Sequence, residues 1–197
     1  MPNQKDVLNA IIAAQKEAAA LILQAHGVLA ETKTGHRDVV TEYDRRVQEL
    51  LMDRLSAAVP GAVFFCEENE QQGDLKAEHV FIIDPIDGTM NFVRGFHHSA
   101  ISVAYMRSGV IRAASVYNPY AEECFSALSG EGAWCNGRPI HAGALPLSES
   151  VVCCGTAPYS PQLADSTFAL MKKAFLASLD IRREGSAALD MCSAGLF

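Results

Sequence analysis

The chain has 197 residues, 49% hydrophobic and 20% charged, with 16 Lys+Arg against 23 Asp+Glu and a net charge of −7. That length suits one large domain or two small ones, and the composition is that of a globular chain rather than a disordered one. The acidic balance argues against a general binder of nucleic-acid backbone, whose non-specific affinity needs a basic face.

Residues 4–30 carry Val7, Leu8, Ile11, Ile12, Leu21, Ile22 and Leu29 among many alanines, which predicts a long helix with one buried face. A polar stretch, Glu31 to Asp38, follows, with Gly35 as a break. Thr41 is a predicted N-cap with Asp44 three residues on, ahead of Val47, Leu50, Leu51 and Leu55, and that helix should stop at Pro60-Gly61. Val63 to Cys66 and Val80 to Ile83 are short bulky runs of strand type, each leading directly into carboxylates. From Ser99 the chain reads as antiparallel strands over 99–106, 110–117 and 123–128, followed by tight turns at Gly130, Gly132 and Asn136-Gly137. A strand over 151–154, a helix over 165–178, a short strand over 181–183 and a last helix over 187–194 complete the expectation. The order predicts an α+β layered fold passing into an α/β portion.

Six cysteines, at 66, 124, 135, 153, 154 and 192, show no zinc-type spacing, and the adjacent Cys153 and Cys154 are poorly placed to bridge one another. Free thiols in a reducing cytoplasm are expected. The start of the chain lacks the basic and apolar pattern of a signal peptide, and the apolar segment Ala18 to Ala30 is interrupted and too short to span a bilayer, so no membrane role is expected.

The informative segment is Asp84-Pro85-Ile86-Asp87-Gly88-Thr89-Met90-Asn91-Phe92. Two carboxylates three residues apart at a strand end converge if the chain turns between them, and Pro85 and Gly88 are residues that set such a turn. Converging carboxylates raise one another's pKa unless they share a proton or bind a cation. An oxygen-only set points to Mg²⁺ or Mn²⁺ rather than zinc. Of Glu67-Glu68, a second acidic strand end, only one side chain should reach a common site, because successive strand residues face opposite ways. Asp44 falls on the apolar face of its helix, where a lone carboxylate is costly. Each feature also has a plain structural reading: an Asx turn for Asp84, a solvated strand end for Glu67-Glu68, a capping-box acid for Asp44. Their joint occurrence is what a metal-assisted phosphoryl-transfer site needs.

These residues, with Trp134-Cys135-Asn136-Gly137 and Gly185-Ser186-Ala187-Ala188, resemble the ordered motifs of the inositol monophosphatase family from about Lys33 onward. The resemblance implies a layered αβαβα sandwich, a homodimer, and Mg²⁺-dependent, Li⁺-sensitive hydrolysis of a small phosphate monoester by metal-activated water. Inositol monophosphate, or a similar phosphorylated polyol, is the implied substrate. By position it implies that Glu67, Asp84 and the Ile86 carbonyl hold the activating ion. Asp84 and Asp87 would contribute to a second ion and Asp44 to a weaker one, giving two or three ions of Mg²⁺ or Mn²⁺. Thr89 and Glu67 would orient the attacking water, Gly88-Thr89 would offer backbone N–H groups to the phosphate, and Gly185, Ser186 and Ala187 would meet the hydroxyl-bearing part of the substrate. Asp87 serves both metal and substrate in this scheme, and Lys33 matches a basic residue nearby.

The family's Trp-Asp-x-Ala-Ala-Gly motif, whose Asp completes the second metal site, does not occur in the 197 residues, and the only Trp is Trp134. The expectation is therefore a fragment or shortened homologue, with residues 1–145 an α+β region carrying the metal site and 146–197 the start of an incomplete α/β region. Three readings compete: the phosphomonoesterase, a phosphatase of haloacid-dehalogenase type, and a catalytically impaired relative acting as a regulatory binding protein. Direct nucleic-acid binding is not expected. The dehalogenase type uses Asp-x-Asp, and the spacing here has one residue more. Nucleotide bisphosphate, fructose bisphosphate and histidinol phosphate are alternative substrates, since phosphatases for them share the metal motif.

Overall fold

The computed structural model describes residues 3–35, 38–68 and 72–195, the side chains of 33–35 and 38 excepted. Lys33, expected near the acids, thus has a side chain outside the described residues. Helix α1 (Gln4–Leu23) starts at Asn3, whose side chain accepts the Asp6 amide at 2.9 Å. Its buried stripe, Val7, Ile11, Ala14, Ala18 and Ile22, recurs at helical spacing and faces the sheet. Within that stripe Gln15 donates from Nε2 to the Ile101 and Ser115 carbonyls, each at 2.9 Å, which fixes the helix over two particular strands.

The helix ends at Leu23 rather than near residue 30. From Ala30 the chain forms an antiparallel hairpin, β1 (Ala30–Gly35) with β2 (Asp38–Thr41), where a polar loop was expected. The sequence of β1, AETKTG, has no apolar face, so the period-2 signal of a half-buried strand is missing. Helix α2 (Glu42–Ala58) follows and stops before Pro60-Gly61, as predicted.

The described residues form one sheet of seven strands in sequence order: β3 (Val63–Cys66), β4 (His79–Asp87), β5 (Ala100–Arg107), β6 (Val110–Asn118), β7 (Glu123–Leu128), β8 (Gly132–Cys135) and β9 (Arg138–Ile140). Only the β3–β4 pair is parallel; the rest is an antiparallel meander. The turn signals around Asn136-Gly137 join β8 to β9, two strands that the sequence reading left as turns. Helices α1 and α2 cover one face over a core that includes Leu51, Leu55, Phe81, Ile83 and Ile101, each at most 2% exposed. Short helix α3 (Thr89–Arg94) leads from β4 back to β5.

Beyond β9 the chain adds a small parallel pair, β10 (Val151–Cys153) with β11 (Asp180–Arg182), bridged by α4 (Ala164–Ala177). Helix α5 (Ala187–Ser193) then packs Leu189 with Ala100 and Phe125 in a separate small cluster. The result is the mixed, layered α+β arrangement expected. No helix among the described residues is long and apolar enough to cross a membrane, and all six thiols are free.

Candidate functional site

Strand β4 does not end at Ile83. It runs through Asp87, and its pairing with β5 skips a residue: Asp84 faces Ser102 and Asp87 faces Ala100, three steps on one strand against two on the other. The Asp-Pro-Ile-Asp segment is therefore a β-bulge rather than the turn expected. The physical reason is Pro85, which has no amide to give the ladder and is tolerated inside a sheet at such an interruption. One extra residue also cancels the alternation of the pleat, so Asp84 and Asp87 line the same cavity. The Ile86 amide donates to Asp84 Oδ1 at 3.1 Å, so the Asx turn weighed as the plain reading is present as well.

Three further elements bring residues to this bulge. Parallel pairing of β3 with β4 carries the chain to Glu67, whose amide donates to the Ile83 carbonyl at 3.1 Å. Glu68 is not among the residues lining that cavity, and its amide donates to Gln48 Oε1 at 3.3 Å. Asp44 forms a full capping box: its Oδ2 accepts the Thr41 amide at 2.8 Å and the Thr41 hydroxyl at 2.6 Å. Its other oxygen, Oδ1, accepts from Thr89 Oγ1 at 3.4 Å. Asp44 is thus both the cap and, at 1% exposure, a member of the site. Thr89 Oγ1 also donates to the Ile86 carbonyl at 3.0 Å, linking α3 to the bulge.

These acids crowd one another. Burial first, then the charges of Glu67 and Asp87, push the Asp84 carboxyl up to about 9, with a smaller push from Asp44. A buried carboxyl that cannot ionise against its neighbours is the condition a divalent cation relieves, and the donors present are the hard oxygens such an ion takes. The residues fit Mg²⁺ on that ground.

Two glycines shape the other side of the cavity. Gly88 caps α3 at φ +88°, and a Cβ there would come within 3.1 Å of the His98 carbonyl and 3.2 Å of the Gly185 carbonyl. Gly185, at φ +92°, has no room either, since a Cβ would lie 2.7 Å from Arg183 Nη1 and 3.0 Å from Asn91 Nδ2. Gly88, Thr89, Gly185 and Ala187 line one cavity of about 760 Å³ with Glu67, Asp84 and Asp87.

Ser186, expected near substrate, is fully buried, and its hydroxyl donates to Asp87 Oδ2. The same oxygen accepts the Ala188 amide at 2.8 Å. Ser186 therefore orients Asp87, while Gly185 and Ala187 line the cavity. Asn91 is a positioning residue that the sequence reading missed. Its Nδ2 donates to the His98 and Glu184 carbonyls, both at 2.7 Å, clamping the loops before β5 and α5 together. Nothing in the motif signals this, because one partner lies 93 residues away. Arg183 and Thr156, on the same cavity wall, were not anticipated either. Beside the clamp, His98, Glu184 and Asp190 converge, with His98 Nε2 3.2 Å from Glu184 Oε2, a contact between the same two loops.

Comparisons agree with this geometry. The model of the inositol monophosphatase family matches residues 3–196. The chain is 33% identical over 190 residues to the putative Nus factor SuhB of Neisseria meningitidis serogroup B, covering 94% of this chain and 73% of that protein. It is 33% identical over 198 residues to the inositol-1-monophosphatase of Rhizobium meliloti, covering 97% and 74%. The crystal structure of an IMPase/NADP phosphatase complexed with Mg²⁺ and phosphate superposes with a TM-score of 0.85 at 26% identity, covering 98% of this chain and 73% of that one. With its bulged Asp-Pro-Ile-Asp strand, its Glu67 and Asp44 partners and a family match over nearly its whole length, the chain belongs to the inositol monophosphatase family.

Proposed function

We propose that the protein is a Mg²⁺-dependent phosphatase that hydrolyses a small phosphate monoester, inositol monophosphate being the first candidate. The single observation that carries this reading is the bulge that turns Asp84 and Asp87 into one cavity beside Glu67, where burial and the charges of Glu67 and Asp87 push Asp84 up to about 9. Glu67, Asp84, Asp87, the Ile86 carbonyl and Asp44 are the oxygen donors for the ions, to the number of two or three. Bound there, Mg²⁺ supplies Lewis acidity to the phosphoryl group and lowers the pKa of water.

The chain's own residues do the rest. Thr89 Oγ1 donates its one hydrogen bond to the Ile86 carbonyl, the shorter of its two contacts, which leaves its lone pairs to accept from a water and aim it. Glu67, exposed at the cavity, is placed to take a proton from that water. Water adds to phosphorus, the ester P–O bond breaks, and the alcohol leaves with a proton while inorganic phosphate remains. The nucleophile is water, so no covalent enzyme intermediate is part of the scheme. Ser186 and the Ala188 amide hold Asp87 in one orientation, and Gly88 lets the backbone approach the phosphate. Residues 1–145 carry the metal donors and residues 146–197 supply the other cavity wall. A cytoplasmic homodimer is part of this reading.

Relatives that carry the name Nus factor SuhB favour a second reading, a regulatory binding protein that keeps the metal site with little turnover. Phosphate release from inositol 1-phosphate, measured with and without Mg²⁺, decides between them. Turnover that needs Mg²⁺ and falls at least about a thousandfold in Asp84→Asn is expected for the enzyme. Mg²⁺ binding without turnover in the unmodified chain selects the second reading, and turnover undiminished in Asp84→Asn sinks the first.

A further inference from the structure

Apart from the carboxylates of the bulge, a second set of metal-binding side chains converges from three places in the fold. His98 stands in the loop before β5, Glu184 in the loop before α5 and Asp190 on α5, and one donor atom of each lies within 4.8 Å of the other two. His98 Nε2 and Asp190 Oδ1 are closed off from solvent, yet neither makes a hydrogen bond among the described residues, the 3.2 Å approach of Nε2 to Glu184 Oε2 included. Buried polar atoms without a partner are rare in folded proteins, and an ion lying between them is one of the few physical reasons for a pair of them.

The backbone around the three ligands is fixed in advance. Asn91 Nδ2 donates to the carbonyls of both His98 and Glu184, so one amide seats two of the three. The Asp190 amide donates to the Ser186 carbonyl at 3.0 Å, which seats the third. With a neutral imidazole the trio carries two negative charges, the number a divalent cation balances. Burial first, then the charge of Glu184, raise the pKa of the Asp190 carboxyl, against smaller opposing pulls from His98 and Arg183. The donor set also differs from that of the bulge. Oxygen alone suits Mg²⁺, whereas an imidazole nitrogen with two carboxylates suits a divalent transition ion. Tetrahedral Zn²⁺ with bonds of about 2.0–2.1 Å holds its ligand atoms roughly 3.3 Å apart, a spacing that the His98–Glu184 pair already has. The Glu184 side chain is 42% exposed, which leaves an entry path and room for a water as fourth ligand.

We propose that His98, Glu184 and Asp190 form a separate metal site that takes a divalent transition ion of the Zn²⁺ type in preference to Mg²⁺ and staples the loop before β5 to the loop before α5. The site shares no ligand with the Mg²⁺ donors and does not rest on the phosphatase reading. The loop before α5 leads into Ser186, whose hydroxyl orients Asp87, so the staple also steadies one partner of the bulge.

The test titrates the full chain, in excess Mg²⁺, with Zn²⁺ against a chromophoric chelator and with Co²⁺ as the spectroscopic probe. One Zn²⁺ is expected to bind, with a Co²⁺ spectrum that lacks a thiolate charge-transfer band. His98→Gln and Glu184→Gln each weaken Zn²⁺ binding at least about a hundredfold, and Asn91→Ala, which loses only the support behind two ligands, about tenfold. Asp84→Asn and Cys153→Ser leave the Zn²⁺ affinity as it is, which separates this site from the bulge and from the thiol nearby. Zn²⁺ also slows hydrogen exchange of the 96–99 and 184–186 amides together. If His98→Gln does not fold, Glu184→Gln carries the test through its exposed side chain. Zn²⁺ affinity unaltered in the ligand variants, Zn²⁺ displaced by equimolar Mg²⁺, or a thiolate band that disappears in Cys153→Ser overturns the proposal. Absence of phosphate release from every ester, with the His98-dependent Zn²⁺ binding intact, removes the phosphatase reading and leaves this site standing.

Discussion

The two walls of the cavity come from regions built very differently. The carboxylate wall hangs on β3, β4, β5 and α2, whose inward side chains, such as Leu51, Leu55, Phe81 and Ile101, are essentially inaccessible to solvent. The opposite material, residues 142–182, has no buried residue in α4, and Phe168, Leu170 and Leu176 of that helix are more than 60% exposed. A metal site needs donors fixed to within a fraction of an ångström, which the close-packed sheet provides. The wall that carries Thr156 rests on a two-strand sheet, and local stability follows from such packing, so the two walls should open at different rates.

The largest effects are expected at Asp84. A folded-state pKa raised from 3.8 to about 9 means that the metal-free native state binds more protons than the unfolded chain between those limits. Stability is then fully present below about pH 4 and declines as pH rises toward 9. Urea unfolding in chelator across that range should show the decline, and Asp84→Asn should flatten it while keeping the Ile86 bond. A stability independent of pH in the unmodified chain would remove the crowding on which the site is argued.

Packing comes next. Leu55→Ala and Phe81→Ala should each cost about 3–5 kcal/mol in the same assay, since both side chains are 0% exposed. Asn91→Ala leaves two carbonyls without their donor and should cost about 1–3 kcal/mol, loosening the loops before β5 and α5 together. Hydrogen exchange of the 96–99 and 184–186 amides would report that coupling, and faster exchange at one loop alone would contradict it. Asp44→Ala should cost about 0.5–2 kcal/mol as a lost cap. Asp44→Asn retains an acceptor for the cap, so a drop in metal affinity larger than its drop in stability would separate the two roles of this residue. The smallest effect is expected from Leu176→Ser on the exposed helix, within about 0.5 kcal/mol. A cost like that of Leu55→Ala would mean that α4 is buried in solution.

How much of this was legible beforehand follows from the range of the interactions. The Thr41–Asp44 capping box spans three residues, and the amphipathic faces of α1 and α2 repeat within a few turns, so both could be read locally. The spacing of Asp84 and Asp87 predicts their convergence by a turn, whereas the structure achieves it by a bulge. A bulge exists only relative to β5, whose pairing the segment itself does not encode. The β1–β2 hairpin escaped because it lacks an apolar face. Asn91, Arg183 and the buried role of Ser186 depend on partners 27 to 99 residues away, beyond any local pattern.

Calorimetric titration of the full chain with Mg²⁺ at pH 7 to 8, in two buffers of different ionisation heat, tests the central claim most directly. If Glu67, Asp84 and Asp87 form the cation site, binding releases about one proton, drawn from the carboxyl held near 9, and Asp84→Asn abolishes both the binding and the release. Mg²⁺ that fails to bind, or that binds Asp84→Asn with the same affinity and no change in proton release, would contradict the assignment.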